Sequence, residues 1–518
     1  MWGAFMAAKK HYVVIGRVSD QIRDELINEF GQTHEFYSDF DVMPLDQLEL
    51  MKQRFTSQNS MFGDREAYSA LFRMVDRIGE MSAEEIETEN LRRQQIWDAL
   101  EGQHVTYVSS ASGDNISARN QSNCMMSFTL TKPRDLGGAG VDTLTMVNSY
   151  TPYMRNDRKS KKPLVNDEGE ITARLDEYNA DGCDFNAHQY RSNGVSRYVS
   201  FTEHSQDGID IFNGRFGYMP VGKTGQYDGV LPATVGPYDG RSQNFLMHNF
   251  NVAMPEGNYE PNAQFISPAT LFAKEIRSLI AGRSQDVVVC APDGMEKFYT
   301  DIEGNITGFD QGVERAKALR DKILGMAYEG SDPFEDPHMA FIKKTRMGQK
   351  STVLSGFKVG GKPAQNGEDH PEYLSGKIAV ITDDIISSGG TLKQAAKKLK
   401  DNGAERVIVA VTHGVLVKTQ ERDAILELGA CEDIDDIIIT DTIPSAGERL
   451  KMHILNAMNE KDQPLLDQLF KFKTISVAPL VVEAIYAEHH KLGLEGMITE
   501  RSYDFDQKSA RKNITIAV

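Results

Sequence analysis

Asp383 and Asp384 stand side by side, and two residues on come Ser387, Ser388, Gly389, Gly390 and Thr391. Glycines let backbone N–H groups approach an anion, and serine and threonine hydroxyls donate further hydrogen bonds. A helix starting at such a loop adds the partial positive charge of its N-terminus. Two carboxylates beside that cup can accept hydrogen bonds from vicinal hydroxyls, directly or through a metal ion. Together these residue types describe a pocket for a phosphorylated ribose.

The neighbouring elements must hold that pocket in place. Ile378–Thr382 is a short apolar run and reads as a buried strand. Leu392, Ala395, Ala396 and Leu399 recur on one helical face, so the spacing predicts a helix over Thr391–Lys400. Gly403 is a stop signal, and Arg406–Thr412 is a second β-branched strand. The pattern is a βαβ unit. Its right-handed crossover puts the acidic and glycine-rich loop at the carboxyl edge of a parallel sheet.

The stretch VITDDIISSGGT resembles the phosphoribosyl-pyrophosphate (PRPP) loop of type I phosphoribosyltransferases and PRPP synthetases. GAERVIVAVTHGV, TDTIP (440–444) and SVAPLVVEAI (476–485) resemble PRPP synthetase in particular. One departure is local: Ser387-Ser388 stands where that family usually has Asp-Thr, so the cup lacks one negative charge.

Other segments follow the family's order. His11–Gly16 reads as a strand and Ser19–Phe30 as an amphipathic helix. EFYSDFDV (35–42) resembles the segment that holds the ATP adenine, which implies that role for Tyr37, Asp39 and Asp41. VTYVSSASGDN (105–115) resembles a strand and loop ending in Asn-Asp-Asn. LTMVNSYTPYMRNDRK (144–159) resembles the segment that grips the ATP phosphates, implicating Arg155, Asn156 and Arg158. VSRYVSFTEHSQDGIDIF (195–212) resembles the segment whose histidine binds metal–ATP, here His204, with Thr202 in place of an Asp. SQDVVVCAPDGMEKFY (284–299) resembles the metal- and ribose-phosphate-positioning segment, with Asp293 matching the ligand. AFIKKTRMGQKS (340–351) resembles the catalytic flexible loop, and Lys344 and Arg346 match its two cations. GYMPVGKT (217–224) satisfies the Walker A pattern, but the Gly/Pro-rich GQYDGVLPATVGPYDG after it cannot start the helix a P-loop needs.

The resemblance implies an α/β fold: two tandem phosphoribosyltransferase-like domains with parallel sheets flanked by helices, plus large insertions. The expected divisions are 1–265 (ATP side), 266–485 (PRPP loop) and a tail at 486–518. Segments 44–102, 160–194 and 213–262 are expected to be insertions, the first mostly helical; 451–468 reads as a further helical insertion. With 518 residues and 40% hydrophobic content, two or more domains are expected. A net charge of −18 argues against a nucleic-acid surface. No run approaches a membrane span, and four scattered cysteines without metal-ligand spacing fit a reducing cytoplasm, a host cytoplasm if the chain is phage-encoded.

The implied reaction is Mg²⁺-dependent transfer of the β,γ-diphosphate of ATP to the C1 hydroxyl of a ribose 5-phosphate moiety, releasing AMP. Lys344, Arg346, Arg155 and Arg158 would neutralise the transferring phosphates. Asp383 and Asp384 would hold the ribose hydroxyls, Ser387 to Thr391 the 5-phosphate, and His204 and Asp293 the metal. The missing cup charge favours a 5′-extended acceptor, ADP-ribose, as in enlarged phage-type relatives that make its 1-pyrophosphate for NAD⁺ salvage. Plain ribose 5-phosphate giving PRPP is the alternative, and a catalytically silent PRPP-synthetase-associated subunit is another. The resemblance also implies a homo-oligomer, dimer or hexamer.

Overall fold

A computed structural model describes residues 11–30, 58–61, 67–70, 82–112, 116–154, 161–165, 171–176, 182–202, 204–221, 258–292, 298–300, 306–309, 311–325, 333–346, 352–360, 362–364 and 372–489. Two parallel sheets organise them. The first has five strands in the order His11–Ile15, His104–Ser109, Thr143–Asn148, Val195–Phe201 and Ala263–Ile266. Every neighbouring pair in it is parallel.

The strands alternate faces, as a two-residue period requires. Tyr12, Val14, Tyr107, Met146 and Tyr198 pack on one side in a core that includes Cys183, Ala187, Tyr190 and Phe212. Val13, Ile15, Val108, Val147 and Val199 pack on the other with Ile22 and Leu26 of helix Asp20–Phe30. The same layer holds Val481, Val482 and Ile485 of helix Ala478–His489. The last described helix therefore returns to cover the first sheet. Arg197 and Glu488 form a buried ion pair there, and Thr145 donates to the same carboxylate at 2.9 Å.

The second sheet has eight strands. In order they are Lys362–Ala364, Thr352–Val359, Met339–Arg346, Val287–Ala291, Ile378–Ile386, Arg406–Gly414, Asp436–Thr440 and Phe472–Ile475. Six run parallel, and the two outermost on one side form antiparallel hairpin extensions. Strand order reverses at Val287–Ala291, whose neighbours are Met339–Arg346 on one side and Ile378–Ile386 on the other. Crevices outside the carboxyl ends of strands at such a reversal are where open α/β sheets bind ligands.

Helix Gly390–Asp401 buries the predicted stripe of Leu392, Ala395, Ala396 and Leu399 on one face of this sheet. Helices Ala269–Leu279 and Gln311–Leu324 cover the other face through Phe272, Ile276, Val313, Leu319 and Ile323.

Several stretches differ from expectation. Within 44–102 the described part is a hairpin, Gln58–Met61 with Ala67–Ala70, and the capped helix Ala83–Ala99. Within 160–194, helix Gly182–Ser192 buries Cys183, Ala187 and Tyr190 in the first core. That polar stretch carries its apolar residues at helical spacing, so part of it is core. Strand Ile378–Ile386 runs four residues past the expected Thr382, which places both aspartates inside the ladder. Among the described residues no helix is long and apolar enough to cross a membrane.

Candidate functional site between two carboxyl edges

The carboxyl ends of the two sheets face each other, and a polar seam joins them. Ser110 and Ser149, just past strand ends of the first sheet, donate to the Thr442 carbonyl at 3.1 and 2.9 Å. Thr412 donates to Thr202 at 3.1 Å, and His413 Nε2 donates to the Phe201 carbonyl at 2.9 Å. Ser19 donates to Asp441 at 2.6 Å. Tyr150 crosses over and sets its ring edge-on to His413, with centroids 5.1 Å apart.

His413 and Asp441, both buried in the seam, respond to desolvation. Burial pushes the His413 imidazole down to about 4. Burial raises the Asp441 carboxyl, against the lowering by bonds from Ser19, Ser476 and the Val477 amide. Thr202 sits at the seam with φ +37°. A β-branched residue there is strained, and the bonds of its amide to Ile266 and its hydroxyl to Thr412 hold it in place.

The predicted sugar loop opens onto this seam. Asp383 and Asp384 lie inside the ladder near the carboxyl end of strand Ile378–Ile386, and Ser387 and Ser388 form the bend after it. Gly389 takes φ +76° as the N-cap of helix Gly390–Asp401. A Cβ on Gly389 would lie 2.6 Å from Leu428 Cδ2, so the turn needs glycine both for conformation and for space. The strand exit is braced by the next loop: the Leu416 and Val417 amides donate to the carbonyls of Ile386 and Ser387 at 2.9 and 3.0 Å. The result is a preformed turn at a helix N-terminus, which suits a phosphate.

His204 reaches this loop from the first sheet. Its Nδ1 donates to Asp384 Oδ2 at 2.8 Å, so the structure brings together two site residues separated by 180 positions. Arg315, on helix Gln311–Leu324, donates to Asp384 Oδ1 at 3.2 Å and lies 3.7 Å from Asp383 Oδ1. Burial alone would raise the Asp384 carboxyl. The Arg315 guanidinium and the His204 ring outweigh burial and hold it well below the usual carboxylate range. Sequence reasoning missed Arg315, and a helical arginine among apolar positions gives no local sign that its partner lies 69 residues downstream.

Lys344 and Arg346 lie in strand Met339–Arg346, opposite Leu354 and Thr352, so their backbone is paired in a hairpin rather than looped. Tyr37, Asp39, Asp41, Arg155, Asn156, Arg158 and Asp293 lie outside the described residues. Among the described residues no group of three His, Cys, Asp or Glu is placed to hold a metal ion. Both Asp384 oxygens are taken by His204 and Arg315, so a divalent cation here would rely mainly on the phosphate and water ligands it brings.

Residues 371–498 match the family model described as "phosphoribosyl synthetase-associated domain". Ribose-phosphate pyrophosphokinase A of Dictyostelium discoideum is 30% identical over 189 residues, 36% of this chain and 45% of that protein. The ribose-phosphate pyrophosphokinase of Methanopyrus kandleri is 39% identical over 159 residues, 29% of this chain and 52% of that protein. A phosphoribosylpyrophosphate synthetase structure from Mycobacterium smegmatis aligns with TM-score 0.49 and 16% identity, covering 93% of this chain and 99% of that one. The matches to these curated relatives span about half of each relative's length.

Proposed function

From a chain whose matched stretch belongs with the ribose-phosphate pyrophosphokinases, we propose an enzyme that transfers diphosphate from ATP to the C1 hydroxyl of a ribose 5-phosphate moiety. The observation that carries this reading is the Asp383–Thr391 turn, which opens at a helix N-terminus on the seam and meets His204 across it.

In this reading the 5-phosphate sits on the amides after Gly389 and on the Ser387, Ser388 and Thr391 hydroxyls. Asp383 accepts from the ribose hydroxyls. The C1 oxygen attacks the β-phosphorus, the bond from that phosphorus to the α-phosphate oxygen breaks, AMP leaves with that oxygen, and the hydroxyl proton is released. Phosphoryl transfer of this kind depends mainly on positioning and charge neutralisation. Lys344, Arg346, Arg155 and Arg158 supply the cations, and Tyr37, Asp39, Asp41 and Asn156 hold the nucleotide. Mg²⁺, bound with ATP near His204 and Asp293, would neutralise phosphate charge. The chain works in the cytoplasm as a homo-oligomer.

The relatives' names favour ribose 5-phosphate as acceptor. Ser387-Ser388 favours a second reading, ADP-ribose, because a hydroxyl pair there does not repel a second phosphate. AMP release from ATP, measured with each sugar in turn, decides. Release with ribose 5-phosphate alone ends the ADP-ribose reading, and no release with either ends the proposal.

A further inference from the structure

Asp384 is held from two sides. Its side chain is 2% exposed, with Oδ1 taken by Arg315 of helix Gln311–Leu324 and Oδ2 by His204 of the opposite sheet. Turning either oxygen towards a substrate would break a charge-assisted bond in a buried place. The neighbouring Asp383 side chain is 22% exposed, and its Oδ1 accepts the Asp384 amide at 3.0 Å. The Asp383 carboxylate is thus oriented by the backbone of the residue that Arg315 fixes.

We propose a division of labour within the acidic pair. Asp383 makes the sugar contact, and Arg315 is a positioning residue that fixes the strand end through Asp384. This deepens the sugar-phosphate reading and rests on it. The helix that carries Arg315 has its own anchors: Val313, Ala316, Leu319 and Ile323 are buried, and Arg320 pairs with the buried Asp336 at 2.9 Å. Substituting Arg315 should therefore loosen the acidic pair without releasing the helix.

The test uses the full chain with Arg315→Gln, Arg315→Lys and Asp383→Asn. Ribose 5-phosphate affinity is measured by calorimetry without nucleotide, and KM for sugar and for ATP separately in AMP release. Arg315→Gln is expected to lose about tenfold or more in sugar affinity, the size typical of a lost supporting contact behind a ligand-binding side chain. KM for ATP should rise clearly less than the sugar constant, because His204 keeps its own bond to the other Asp384 oxygen when Arg315 is lost. Arg315→Lys, which keeps the charge but not the planar fork, should fall in the same direction by less. Asp383→Asn should abolish measurable sugar binding.

Wild-type sugar affinity in Arg315→Gln, or sugar and ATP constants rising together, overturns the proposal, as does tight sugar binding by Asp383→Asn. Where Arg315→Gln does not fold, Arg315→Lys decides on the same two constants. A wild-type chain that binds no sugar phosphate fails the underlying reading, whereas binding that the Arg315 variants leave untouched fails this inference alone.

Discussion

At the residue scale, the phosphate turn depends on one backbone conformation. Gly389 is at φ +76° with Leu428 filling the space where a Cβ would go. Gly389→Ala combines left-handed strain of about 1–3 kcal/mol with a steric clash. Its urea unfolding midpoint should fall, and sugar-phosphate affinity should fall with it. An unchanged midpoint would show that the turn is not held as described. The residues of this turn were legible in the sequence because they are contiguous, and chemistry and spacing sit in one string. Arg315 was not legible because its role exists only once helix Gln311–Leu324 lies on the sheet beside Asp384. His204 was legible from its place in an ordered series of motifs, but its bond to Asp384 was not.

At the element scale, the last described helix, Ala478–His489, ties the second half of the chain to the first sheet. Glu488 accepts from Arg197 and Thr145, with His104 Nε2 3.3 Å away. Glu488→Ala leaves the buried Arg197 guanidinium with its Gln264 bond but no carboxylate to balance its charge, a change that costs about 3–5 kcal/mol. Chemical denaturation should show that loss, and hydrogen exchange should show the helix opening early. Protection equal to wild type would contradict this latch. Helix Gly390–Asp401 and the strands on either side of it, Ile378–Ile386 and Arg406–Gly414, followed from hydrophobic spacing, as the stripe from Leu392 to Leu399 shows, whereas the hairpin strands Met339–Arg346 and Thr352–Val359 did not. Helix Gly182–Ser192 was obscured by its polar surroundings: its buried Cys183, Ala187 and Tyr190, about a turn apart, carry its apolar packing, and composition averages them away. The return of the last helix to the first sheet is a long-range pairing that no local pattern encodes.

At the scale of the whole molecule, the seam between the two carboxyl edges sets both stability and the site. His413 is buried in it, held below its ordinary range at about 4, against an unfolded value near 6.5. The unfolded chain therefore binds a proton that the folded chain refuses between those values. His413's contribution is fully present above about pH 6.5 and is lost as pH falls towards 4. Wild-type stability should decline over that window, and His413→Asn should flatten the part of the decline due to this ring. A variant with the wild-type slope would remove His413 from the account.

The central claim is that a sugar phosphate in the Asp383–Thr391 turn receives a diphosphate across the seam. Phosphorus NMR of the full chain with ATP, Mg²⁺ and ribose 5-phosphate tests it most directly. The account predicts a new pair of coupled diphosphate resonances on C1, appearing in step with AMP and absent with Asp383→Asn. ADP as the product, or a C1 diphosphate formed equally well by Asp383→Asn, would contradict it.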